Sequence, residues 1–392
     1  MNTTYSQLFT PQFISGRGSI SFIATLGKKK IGVIRGGRSL NDELKATIEK
    51  LAADSGAEVR YLAQIRNEPF IEDIFRCMDA VREFEPDMIL AIGGGSVLDT
   101  AKAIHLFYEN PEMTFEQATI PYSLPALGKK AVHISVPTTS GTGSETTSCA
   151  VFIDPETKTK KLLLDNTIIP HYAILDANTT DSLPASITIA TALDALTHAI
   201  ESSTALNASM MTKAIAIEAA VDILENIKAS AVNGEMTEEK KIAREKIHIA
   251  SAMAGVAITN SCTGLAHSYD HPGPAFSMAH GNICGLMLPY TMKYVGPHDS
   301  YATIAKRLGY RGNKAELTQA LIDHLLGLMK ELNLKTCFKE MGIDAEAYKN
   351  AAKVWAEISL PAFATVVSPA GMTYEKGIAM YDDCYEGTYP TV

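Results

Sequence analysis

Asp87-Met-Ile-Leu-Ala-Ile-Gly93-Gly-Gly-Ser96-Val-Leu-Asp99 reads as a strand, a tight turn and the start of a helix. Residues 88–92 form an unbroken apolar run, the pattern of a strand buried on both faces. The three glycines let backbone N–H groups approach a phosphate, and the helix they open adds positive potential at its N-terminus. Ser96 with Asp99 fits a capping box. A capped helix after an ordinary turn needs fewer glycines, so the stretch is read as a phosphate site in a β-α-β unit.

The same rhythm extends to both sides. Upstream, residues 31–34 and 58–62 read as strands, with helices over 41–55 and 71–85. A helix over 96–105 follows the glycines, and then a strand over 131–136. This alternation implies a parallel sheet with helices on both faces. The last strand feeds a second polar loop, Pro137-Thr-Thr-Ser-Gly-Thr-Gly-Ser-Glu145-Thr-Thr-Ser148. In a parallel sheet that loop falls at the same carboxyl edge as the first, where ligands bind. Two such loops point to a dinucleotide rather than a single phosphate.

After about Ser182 the texture changes. Strand-like runs give way to stretches of 3.6-residue periodicity over 186–204, 209–227, 238–258, 316–332 and 345–357. The expected architecture is an α/β dinucleotide-binding domain with a Rossmann-like parallel sheet over 1–183. An all-α domain that binds metal and carries the catalysis is expected over 184–392.

Composition narrows the function. The 392 residues carry a net charge of -9 without acidic blocks, which argues against nucleic acid as a partner. The most basic run, Lys28-Lys29-Lys30, is short and leads into a strand. Cys77, Cys149, Cys262, Cys284, Cys337 and Cys384 form no CxxC pair, so buried free thiols in a reducing cytoplasm are expected. The first residues have neither the basic nor the apolar region of a signal peptide, and no apolar run approaches a membrane span.

The chemistry sits in the helical half. Leu193-Asp194-Ala-Leu-Thr-His198-Ala-Ile-Glu201 places Asp194 and His198 one helical turn apart. Gly264-Leu-Ala-His267-Ser-Tyr-Asp-His271-Pro, followed by His280-Gly281, adds three histidines. On a helix His267 and His271 also share a face. Up to five groups can therefore bind a divalent ion or move a proton. Imidazole nitrogen with one carboxylate oxygen suits Fe2+ or Zn2+. No thiolate is near enough in sequence to suggest a cysteine-rich zinc site. His105, His248, His298 and His324 stand alone and are read as core or surface residues.

These motifs together resemble the iron-dependent (group III) alcohol dehydrogenases. The resemblance runs over nearly the whole chain. It includes Phe13-Ile-Ser-Gly-Arg-Gly-Ser-Ile20, Gly93-Gly-Gly-Ser96-Val-Leu-Asp-Thr-Ala-Lys102, Ser182-Leu-Pro and the segments already quoted. It implies an active site in a cleft between a nucleotide domain and a helical metal domain. It places the metal ligands on Asp194, His198, His267 and His280, and a proton-relay histidine on His271. Cofactor contacts fall on Gly94, Gly95, Ser96, Thr138, Thr139, Thr142 and Thr147, with a cofactor-side lysine at Lys160. Lys161 is one register away.

The implied reaction is hydride transfer between a nicotinamide and a small primary alcohol or aldehyde, including aldehydes bearing an acid group. A homodimer is the expected assembly. NAD-preferring relatives carry an aspartate where this chain has Gly36. Here Arg35 and Arg38 flank that glycine and Ser39 can donate, so NADP(H) is expected ahead of NAD(H). The chain departs from the family's usual pattern between His271 and His280, which are one residue closer, at Ala279 in place of a proline, and at Ser368-Pro-Ala-Gly371. Two rival readings are a zinc enzyme of the glycerol dehydrogenase and dehydroquinate synthase branch and a catalytically silent nucleotide-binding assembly protein.

Overall fold

The computed structural model describes residues 6–37, 39–66, 69–156 and 159–392. They divide into two compact units, Phe9–Leu183 and Pro184–Val392, the latter joined by the residues up to Leu8.

The strands of the first unit are β1 (Gln12–Ser15), β2 (Lys30–Gly36), β3 (Glu58–Ile65), β4 (Met88–Gly93), β5 (Val132–Pro137), β6 (Cys149–Ile153), β7 (Lys160–Leu164) and β8 (Tyr172–Leu175). Six form one parallel sheet in the order β1-β8-β5-β4-β2-β3. β4 lies near its centre, and Met88 through Ile92 are wholly buried, which is why that run carries no polar residue. The helices are α1 (Asp42–Ser55), α2 (Ile71–Arg76), α3 (Met78–Phe84), α4 (Gly95–Glu109) and α5 (Phe115–Ala118). The chain passes from β2 out to β3, then returns to the far side of β2 as β4. The topological switch therefore lies between β2 and β4.

Three local expectations change. Gly94 rather than Ser96 occupies the N-cap of α4, with no side-chain cap. The Asp99 carboxylate turns away to accept from Ser144 Oγ at 2.6 Å and Val151 N at 2.9 Å, so no capping box forms. The helix over 71–85 breaks at Cys77, whose thiol lies 3.1 Å from Ile74 O, the carbonyl a continuous helix would offer to Met78. β6 and β7 form a separate antiparallel pair. Its mostly exposed β7 gives no apolar run by which to read it.

The second unit is helical, with no strand among its described residues. Its helices are α6 (Ala185–Thr204), α7 (Met210–Ser230), α8 (Glu238–Thr259), α9 (Leu265–Ser268), α10 (Pro272–Ala275), α11 (His280–Val295), α12 (Asp299–Arg307), α13 (Lys314–Glu331), α14 (Ala345–Ser359), α15 (Phe363–Val366) and α16 (Tyr374–Glu386). Ser209, Thr237, Asn313 and Thr373 cap α7, α8, α13 and α16 with their side chains. α6, α7 and α8 share one core through residues such as Leu196, Ile200, Ile223 and Ile247. His267 and His271 do not lie on one helix. α9 ends at Ser268, and Pro272, which lacks an N–H, opens α10. No helix among the described residues is long and apolar enough to cross a membrane.

Candidate metal centre and dinucleotide edge

α6 carries Asp194 and His198 on one face. Asp194 is 4% exposed. Its Oδ1 lies 3.7 Å from His198 Nε2, 3.4 Å from His267 Nε2 and 3.5 Å from His280 Nε2. That oxygen is buried without a hydrogen-bond partner, as are His267 Nε2 and His198 Nδ1. A buried carboxylate oxygen ringed by three imidazole nitrogens and bonded to none of them is costly. A cation among the four groups would remove the cost, and three nitrogens with one oxygen suit a borderline divalent metal. The residues fit such an ion. Burial pushes the Asp194 carboxyl up, but the His198, His280 and His267 imidazoles outweigh it and hold it well below the usual carboxylate range. Burial pushes His198 down to about 4 against the pull of Asp194, which keeps its ring neutral and able to ligate.

Two carboxylates hold the rings from behind. Glu201, also on α6, lies with Oε2 2.6 Å from His267 Nδ1. It also accepts from Gly264 N at 2.8 Å and Ala266 N at 2.5 Å, fixing the start of α9. Asp270 Oδ2 lies 2.9 Å from His280 Nδ1. Each carboxylate accepts from Nδ1 and leaves Nε2 to face Asp194. Gly281 lets α11 reach α6, since a Cβ there would stand 1.9 Å from Ala190 O. Side-chain exposure is 7% for His198 and 10% for His267, against 46% for His280, so the group opens at His280.

Cys284, one turn after His280 on α11, offers Sγ within 4.8 Å of the ligand atoms of Asp194, His267 and His280. His271 lies outside that donor group. Its Nε2 is 3.0 Å from Ser359 Oγ, and its ring stacks on Trp355 at 6.4 Å.

In the first unit, the turns after β2, β4 and β5 meet at one edge. Thr138 N donates to Gly93 O at 3.0 Å, joining the two polar loops. A Cβ on Gly93 would stand 2.5 Å from Val97, so only glycine lets α4 double back here. Gly94, Gly95, Ser96, Thr139 and Thr142 are partly exposed. A Cβ on Gly95 would meet Thr142 at 2.8 Å. The Thr147 hydroxyl points inward, accepting from Lys102 Nζ at 2.9 Å and donating to Cys149 O at 3.2 Å. Ser39 Oγ accepts from Gly36 N at 2.7 Å and donates to Ile92 O at 2.8 Å, bridging β2 and β4 at the switch point. Lys160 is exposed on β7. Arg38 lies outside the described residues.

The model of the family "Iron-containing alcohol dehydrogenase" matches residues 10–177, and that of "Fe-containing alcohol dehydrogenase family, C-terminal" matches residues 188–383. The chain belongs to the iron-containing alcohol dehydrogenase family. It is 34% identical over 383 residues to an NADPH-dependent butanol dehydrogenase of Clostridium saccharobutylicum, covering 95% of this chain and 96% of that one. It is 32% identical over 334 residues to an aldehyde-alcohol dehydrogenase of Streptococcus pneumoniae, covering 79% of this chain and 37% of that longer protein. Among solved structures, the iron-containing alcohol dehydrogenase from Thermococcus thioreducens has a TM-score of 0.87 at 29% identity, covering 98% of this chain and all of that one.

As a member of this iron-containing family, the chain is a metal-dependent alcohol dehydrogenase. Neither the glycerol-dehydrogenase-like zinc branch nor a silent assembly protein is favoured. Three residues of the centre escaped the reading of the sequence: Glu201, Asp270 and Cys284. Glu201 follows His198 by three residues and Cys284 follows His280 by four, the spacings of one helix face. Asp270 gives no comparable signal, because it leaves α9 in the bend before Pro272.

Proposed function

We propose that Asp194, His198, His267 and His280 hold one divalent metal, Fe2+ with Zn2+ as the alternative. The reaction moves a hydride between NADP(H) and a small primary alcohol or aldehyde. The carrying observation is Asp194 Oδ1, buried and unpartnered among three imidazole nitrogens. When bound, the metal supplies a Lewis acid for the substrate oxygen and the dinucleotide gives or takes the hydride.

The chain's own residues do the positioning. Asp194 brings one negative charge to the donor set. Glu201 and Asp270 accept the Nδ1 protons of His267 and His280 and so present Nε2 as the free donor. His280, the exposed member, marks the side from which substrate enters. His271, paired with Ser359, moves the alcohol proton. In the first unit, Gly94, Gly95 and Ser96 present backbone N–H groups at the start of α4 to a pyrophosphate. Thr138, Thr139 and Thr142 line the neighbouring loop, Thr147 braces it through Lys102, and Lys160 supplies a charge from β7. Gly36, Arg38 and Ser39 set the choice of dinucleotide. The absence of a carboxylate at Gly36 and the NADPH dependence named for the Clostridium relative both support NADP(H).

The six unpaired thiols support a reducing compartment such as the cytoplasm. A homodimer is the proposed assembly, checked by sedimentation. The function is tested on protein purified without air, by metal content and by reduced-nicotinamide absorbance with a panel of small aldehydes. His267→Ala should lose both the metal and the absorbance change. Full metal occupancy in that variant would sink the ligand assignment.

A further inference from the structure

We propose that Cys284 is a thiolate ligand of the same metal, an inference that rests on the metal site proposed above. Four residues bring one donor atom each within 4.8 Å of one another: Asp194, His267, His280 and Cys284. The sulfur lies 3.7 Å from His280 Nε2 and 3.8 Å from Nδ1, within weak hydrogen-bond reach of the ring, so it sits beside the nitrogen that faces Asp194. Cys284 is wholly buried on α11, so its sulfur is withdrawn from solvent and turned to this donor group. Two independent atoms are aimed into the same space, since Asp194 Oδ1 and His267 Nε2 are buried and unpartnered.

The backbone makes this approach possible. Gly281, the residue after His280, lets α11 close onto α6, and Gly285, the residue after Cys284, sits against Leu193 where a Cβ would stand 3.0 Å from the leucine's own. The two glycines follow His280 and Cys284 in turn and let this stretch of α11 lie close against Ala190, Leu193 and Asp194 of α6. On binding, the thiol releases its proton to solvent and the sulfur lone pair forms the bond to the ion. The site gains a second negative charge and a soft donor. A soft donor raises the site's affinity for zinc, the alternative metal, more than a set of carboxylate and imidazole alone would.

The test uses the full-length protein stripped of metal and reloaded with Co2+ alone. Uptake with visible ligand-field bands reports the metal site; a near-ultraviolet sulfur-to-cobalt charge-transfer band reports the thiolate. The expected result is both signals in the native chain and loss of only the second in Cys284→Ser, with zinc affinity lower by about tenfold or more. Ligand-field bands without the charge-transfer band in the native chain would overturn the thiolate and leave the four-residue site standing. Absence of cobalt uptake would overturn the site itself. If the variant does not fold, X-ray absorption of the zinc-loaded native protein decides the matter. A sulfur scatterer at about 2.3 Å is expected, and a shell of nitrogen and oxygen alone overturns the proposal.

Discussion

Glu201 Oε2 lies 2.6 Å from His267 Nδ1, while His267 Nε2 points at Asp194 Oδ1 from 3.4 Å. One helix, α6, therefore supplies both the carboxylate that the three imidazoles surround and the carboxylate that orients one of those rings. The seven-residue interval between Asp194 and Glu201 is two helical turns, which puts both on one face.

Glu201→Gln should weaken metal binding by about 10–100-fold, because the amide orients the ring less firmly and no longer makes it more basic. Competition with a chelator of known strength measures this. Gln keeps one oxygen, which can accept from only one of Gly264 N and Ala266 N, since these donate to different oxygens of Glu201, so far-ultraviolet circular dichroism is recorded beside the affinity to show that the helices are kept. An unaltered metal affinity would remove Glu201 from the centre.

Gly281→Ala should separate α11 from α6. The new methyl would stand 1.9 Å from Ala190 O and 3.0 Å from Asp194 Cβ, and backbone cannot yield as a flexible side chain can. Overpacking of this kind costs about 1–3 kcal/mol or more. The variant is expected to melt several degrees lower and to copurify with less metal, because His280 moves with the helix. A native melting temperature at full occupancy would contradict the close approach.

Burial raises the Glu145 carboxyl to about 7, against the smaller pull of its own backbone N–H and of Lys102. A folded-state value above the unfolded one means that the folded protein holds the extra proton. The associated stability is present below the unfolded value of about 4.5 and is lost as pH rises through about 7. Glu145→Gln removes the titration and should flatten this alkaline loss, stabilising the protein by about 1–3 kcal/mol near pH 8. Thermal melts across that range check it. A variant with the same pH slope as the native chain would show that another group is responsible.

His271→Ala should keep the metal and lose rate, with a changed pH profile of kcat, since the Nε2 contact with Ser359 Oγ is removed without touching the donor group. Loss of metal together with activity would make His271 a ligand instead of a relay.

Cofactor choice is read by steady-state kinetics. The expected outcome is a higher kcat/KM with NADPH than with NADH, and a fall in that ratio in Arg38→Ala, in keeping with an arginine fork on a 2′-phosphate. Preference for NADH, unchanged in the variant, would refute both the preference and the contact.

The sequence by itself determined the β-α-β half, because parallel strands buried on both faces read as continuous apolar runs and residues 88–92 are such a run, closed by three glycines and followed by a helix. It also determined the helical half and the pairing of Asp194 with His198, since a turn of helix fixes that spacing whatever surrounds it. Contacts that cross between elements were decided only by the tertiary structure. The break between α9 and α10 puts His267 in the donor group and His271 against Ser359 and Trp355. The Gly281 contact carries His280 and Cys284 onto Asp194. The Asp99 carboxylate reaches out from its helix to accept from Ser144 and Val151. Periodicity describes which side chains share a face of one element. Which face of another element they meet depends on close packing, and here that packing turns on single glycines and one proline whose effect is steric and therefore silent in the pattern of polar and apolar residues.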